Sequence, residues 1–114
     1  MRALALALSF AAVAPSVAGA VDLDAVSTAD KRLYCYAYIY IDLYMRREAG
    51  LIDQSEFERG ARLAAGAVMR RAGNVNYAQA GRRADQAVRT VAQEDPSPAE
   101  IAAKAQTCRS YLRL

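Results

Sequence analysis

Cys35 and Cys108 are the only two cysteines in the chain, and they stand 73 positions apart. If they bond, everything between them becomes one closed loop whose first and last segments must touch. The N-terminus argues that they meet an oxidising environment. Arg2 gives a short basic start, Ala3 to Ala14 is an apolar run, and Pro15 to Ala20 ends in the small residues Ala18-Gly19-Ala20. That order is the pattern of a secretory signal, cut between Ala20 and Val21. A membrane anchor would need about 20 apolar residues in a row, whereas this run contains Ser9 and stops at Pro15. Val21 is not a cysteine, so lipid-modified export is not indicated. The sequence therefore predicts a periplasmic or secreted protein with a signal peptide over 1–20 and one domain over 21–114. No stable membrane anchor is expected after cleavage. In such a compartment a disulfide forms and persists.

Glycines and prolines divide the remaining chain into four segments of helical length. Ser27 with Asp30 three places on opens the first, which runs to Ala49, and Gly50 suits the left-handed position after it. Leu51 is expected to fold back on that last turn. Asp53 and Glu56 open a second segment, which ends before Gly73 with Arg70 and Arg71 in its last turn, where cations favour the helix dipole. The third runs from about Asn76 to Glu94. Ser97-Pro98-Ala99-Glu100 opens the fourth as a capping box with proline at the first helical position.

The later segments carry apolar residues at helical spacing. These are Phe57, Ala61, Ala64 and Val68 in the second, then Tyr77, Ala80, Ala84, Ala87, Val88 and Val91 in the third. Ile101, Ala105, Cys108 and Leu112 mark the fourth. Acid-first pairs at four-residue spacing, Glu58–Arg62 and Asp85–Arg89, should add helix support.

The first segment is harder to read. Tyrosines at 34, 36, 38 and 40 alternate with Cys35, Ala37, Ile39 and Ile41, as in a β-strand. A lone strand leaves its backbone donors and acceptors unpaired, and this chain offers no sheet edge to join. The alternation also ends after Ile41, where Asp42 and Arg46 form another acid-first pair. A helix that is apolar on most sides is usually buried. The expected fold is thus all-α: a small four-helix bundle with this helix at its centre, stapled by Cys35–Cys108. The closed loop should contribute roughly 3–5 kcal/mol.

Function is far less legible. Without Arg2 the 15 basic residues become 14 against 12 acidic ones, a net charge of +2. The pairs Arg46-Arg47, Arg70-Arg71 and Arg82-Arg83 lie among acidic residues, so nucleic-acid binding is not expected. The chain has no histidine, which removes the commonest general base and leaves a tetrahedral metal site short of ligands. A redox cysteine pair would usually take the C-x-x-C form, which is absent. Asp42 is the one acid in apolar surroundings, and an ion pair with Arg46 accounts for it. Gly60 and Gly66 lack the strand and lysine of a phosphate loop and fit close helix packing. The expectation is a non-enzymatic protein with no cofactor.

What remains is a stripe at helical spacing, Tyr36, Tyr40 and Tyr44 with Arg47 at its end. Tyrosine and arginine are enriched where proteins bind proteins. The stripe is either core, packed on alanine faces, or the surface for an unknown protein partner or a second copy of the chain. A third possibility is the wall of a pocket for a small apolar ligand, including tyrosine ligation of a haem iron, although no haem-attachment motif is present. The run Cys35-Tyr36-Ala37-Tyr38-Ile39 resembles the Cys-x-x-Tyr-Ile start of the small Tai-type immunity proteins, which guard against toxins of bacterial secretion systems. That resemblance implies an immunity or inhibitor role. The glycines and second cysteine pair of those proteins are missing here, so no site is carried over from them. In size and single disulfide the chain also resembles periplasmic acid-stress chaperones of the HdeA type.

Overall fold

The structure is a computed structural model that describes residues 21–72 and 76–114, without the side chains of 70–72. The leader, Ala20, Gly73 and the side chains of Arg70 and Arg71 lie outside the described residues. Among the described residues four helices follow one another: α1 (Thr28–Glu48), α2 (Gln54–Ala72), α3 (Tyr77–Gln93) and α4 (Pro98–Leu112). No strand occurs among the described residues.

Each boundary has a local cause. Ser27, Asn76 and Ser97 cap α1, α3 and α4, their side chains accepting from the backbone N–H of Asp30, Gln79 and Glu100. At α2 the exchange is reciprocal. Asp53 Oδ1 accepts from Glu56 N–H at 2.8 Å and Glu56 Oε1 from Asp53 N–H at 3.0 Å, so two free donors are satisfied at once. After α1 the chain reverses through Gly50 at φ +77°, and the Leu51 N–H reaches back to the Arg46 carbonyl at 2.9 Å. The backbone folds back as expected, but the Leu51 side chain does not: it is 73 % exposed. Between α3 and α4, Asp95 takes the left-handed conformation at φ 51°, and Pro96 follows.

The alternating tyrosine stretch lies within α1, and α2, α3 and α4 all pack against that helix. At about 3.6 residues per turn, its side chains divide between two buried faces. Cys35 and Ile39 meet Ala64, Ala67 and Val68 of α2 and Ala105 and Leu112 of α4. Ala37 and Tyr38 meet Ala87 and Val91 of α3 and Ile101 of α4, together with Val21. The Cys35–Cys108 disulfide joins α1 to α4 inside the first of these clusters, with both cysteines fully buried. Of the expected stripes, Ala64 and Val68 of α2 and Ala105, Cys108 and Leu112 of α4 face this core. Ile101 faces the second cluster, Phe57 is buried outside both, and Ala61 is half-buried. Tyr77 departs from the α3 stripe and is 70 % exposed, because it stands in the first turn, ahead of the α3 core residues Ala87 and Val91.

Gly60 permits the approach of α2 to α1. A Cβ there would stand 2.8 Å from Leu43 Cδ1. Asp42 is buried and accepts from Arg46 Nε and from Arg109 Nη2 of α4, both at 3.1 Å on the same Oδ2. The ion pair foreseen within α1 therefore also ties α1 to α4. The surface pairs Glu58–Arg62 and Asp85–Arg89 are not closed. Glu58 accepts from Gln54, and Arg89 donates to Gln86.

Candidate functional site

The helical geometry of α1 places the tyrosine stripe away from its α4 side, on the sector between α2 and α3. Tyr36 and Tyr40 are half-buried there, and Tyr44 is 45 % exposed. The three therefore form a graded ridge, covered at the middle of the helix and open towards its C-terminus. Tyr36 and Tyr40 lie 5.9 Å apart between ring centroids, and Tyr40 meets Phe57 of α2 edge-on at 5.4 Å. Both separations suit favourable aromatic contacts.

Arg47 closes the ridge. Its guanidinium lies 4.4 Å from the Phe57 ring centroid and 5.1 Å from that of Tyr44. Nη1 donates to Gln54 Oε1 at 2.8 Å, and Nη2 pairs with Glu48 at 3.3 Å. A planar cation held between two rings and an amide is fixed in orientation, which a free surface arginine is not. Burial raises the pKa of Tyr36 above the ordinary tyrosine value, with Tyr40 and Asp85 adding in the same direction. The raised pKa keeps Tyr36 uncharged, and the guanidinium at the end of the ridge is paired with Glu48.

On its α3 side the ridge borders an apolar groove of about 520 Å³. Tyr40, Ile41, Tyr44 and Met45 form its floor. Val88 and Ala92 of α3 stand on one side, and Pro96 of the turn with Pro98 and Ile101 of α4 closes the other. The sequence signal for this groove was incomplete. Its α1 half could be read from the tyrosine spacing, but the proline turn that shapes the far wall carries no periodicity.

No protein-family model, no curated protein and no solved structure matches this chain. Its own chemistry is therefore the basis for any role. No group of three or more His, Cys, Asp or Glu residues able to hold a metal ion occurs among the described residues. No described helix is long and apolar enough to cross a membrane. The disulfide leaves no free cysteine. The arrangement offers aromatic surface, an oriented cation and an apolar groove.

Proposed function

We propose that this chain is exported, cut after Ala20, and acts outside the cytoplasm as a small non-enzymatic protein that binds another protein. The binding surface is the Tyr36/Tyr40/Tyr44/Arg47 ridge. The observation that carries the reading is the state of Arg47 and Tyr44: a cation pre-oriented by Phe57 and Gln54 beside an aromatic ring left 45 % exposed. Rigid aromatic and arginine anchors lose little entropy on association and dominate binding energy at protein interfaces. The Cys35–Cys108 bond accords with an oxidising compartment. An immunity, inhibitor or chaperone role is compatible with such a surface.

The groove favours a second reading, a carrier of a small apolar ligand. Its volume of about 520 Å³ falls in the usual range for ligand sites, roughly 300–1,000 Å³. Purification from the native periplasm under mild conditions, followed by mass spectrometry, separates the two. Binding through the ridge is expected to give a co-purifying protein, or a second copy of the chain, that is lost in Tyr44→Ala and Arg47→Ala while the far-ultraviolet spectrum stays helical. Tyr44 is the better probe than Tyr40, whose contact with Phe57 ties it to the fold. A bound small molecule without a protein partner would favour the carrier instead. A partner retained by both variants would remove the ridge from the site.

A further inference from the structure

Val21 enters the bundle at a junction of three helices. Its side chain is 8 % exposed and packs in the cluster formed by Tyr38, Val91 and Ile101. Lys104 of α4 donates Nζ–H to the Val21 carbonyl at 2.6 Å and lies 5.3 Å from the Tyr38 ring centroid. Two polar atoms at this junction have no hydrogen-bond partner: Tyr38 Oη and Glu94 Oε1, both buried. Glu94 is the C-cap of α3.

Buried polar atoms without partners are uncommon, and each calls for a physical reason. Burial raises the pKa of both groups, that of Tyr38 to about 12. The Val21 backbone N–H lies close enough to oppose both shifts, and Lys104 opposes that of Glu94, while Glu100 adds to both and Tyr34 to that of Tyr38. Lys104 makes no ion pair with Glu94 and acts on it only as a nearby positive charge, its Nζ bonding the Val21 carbonyl. The junction therefore presents a carboxylate and a phenol oxygen to the nitrogen of residue 21, and a peptide N–H there supplies a single donor. An ammonium supplies three donors and a positive charge.

We propose that Glu94 and Tyr38 form a receptor for a free α-ammonium group at Val21. The inference rests on the proposed cut after Ala20. Hydrolysis of the Ala20–Val21 peptide bond by a signal peptidase adds one water. The new carboxylate leaves with Ala20, and the amine left on Val21 takes up a proton at neutral pH. The ammonium then pairs with the half-buried Glu94 carboxylate through its buried Oε1 and donates to Tyr38 Oη, while Lys104 holds the carbonyl of the same residue. Removal of the leader thus completes the bundle, and the position of the cut matters to the residue.

All four helices and both core clusters lie within 21–114, so that chain is the unit to test. It and a chain beginning at Ala18 can be released with defined N-termini from cleavable fusions, each with and without Glu94→Gln. In 21–114 the α-amine is expected to titrate clearly above its ordinary value of about 8. Its thermal midpoint should exceed that of 18–114 by several degrees, and Glu94→Gln should abolish both differences. An α-amine titrating at its ordinary value in 21–114, or a midpoint gap unchanged by Glu94→Gln, would overturn the receptor. If Glu94→Gln does not fold, the amine titration of unaltered 21–114 decides alone. Intact mass of the exported protein reads the cut separately, so a wrong cleavage site and a wrong receptor fail in different measurements.

Discussion

Asp42 shows how a single buried charge can serve the fold rather than chemistry. It is 4 % exposed, and one carboxylate oxygen receives Arg46 from its own helix and Arg109 from α4. Half of this arrangement was legible in the sequence, because Asp42 and Arg46 share a helical face. Arg109 was not, since a contact across 67 positions leaves no periodic trace. The surface pairs Glu58–Arg62 and Asp85–Arg89 were equally regular in spacing yet stay open, as exposed pairs gain little over water and nearby glutamines compete for the same groups. Hydrogen bonds to charged groups contribute roughly 1.5–3 kcal/mol each, and losing a buried partner strands the other. Both arginines keep some contact with solvent, which moderates the loss. Asp42→Ala is therefore expected to lower stability by about 2–3 kcal/mol in urea unfolding, with Arg109→Ala losing part of the same energy. Additive losses in the double variant would show that the two residues do not act together.

The helix boundaries were the most legible level, because capping is local chemistry. Ser27, Asp53 and Ser97 cap as their spacing suggests, and Asn76, read only as the approximate start of its segment, caps α3 as well. Side-chain placement beyond the caps was less so: Leu51 and Tyr77 have apolar side chains but reach solvent, since the turn and the first helical turn that carry them overhang the core. Two glycines separate intrinsic preference from tertiary demand. Gly81 lies inside α3, and a Cβ added there would have nothing within 4 Å, so Gly81→Ala meets no obstacle and gains helix propensity. A gain of roughly 0.5–1 kcal/mol is expected. Gly50 has the same open space but stands at φ +77°, where a Cβ is strained, and Gly50→Ala should cost about 1 kcal/mol. Thermal unfolding of the two variants checks both signs, and a loss of stability in Gly81→Ala would contradict the propensity argument.

The whole molecule is held by a central helix, an alanine-rich interior and one covalent bond. Ala37, Ala64, Ala67, Ala87 and Ala105 are all buried. Small side chains let helices approach closely but remove little apolar area from water per residue, so the area-dependent term is modest. The all-α fold and the staple were legible because cysteine, glycine and proline act through chain connectivity. The groove was not, because it exists only where the end of α3, the Pro96–Pro98 turn and the tyrosine ridge converge. Within the interior, the disulfide closes a span of 73 positions, for which chain entropy gives roughly 4–5 kcal/mol. Net stabilities of single domains are about 5–15 kcal/mol, so this one bond is comparable to the lower end of the whole. For a domain of this size each kcal/mol shifts the thermal midpoint by roughly 4–8 °C. Cys35→Ala with Cys108→Ala is expected to lower the midpoint by roughly 15–40 °C. The native protein in reductant should behave alike once both thiols are free. The two tests differ in one respect: reduction leaves the buried sulfur in place, so it should lose slightly less than the alanine pair, which also leaves a cavity. A midpoint within a few degrees of the native one in both would mean that apolar packing alone holds the bundle, and that the staple adds little.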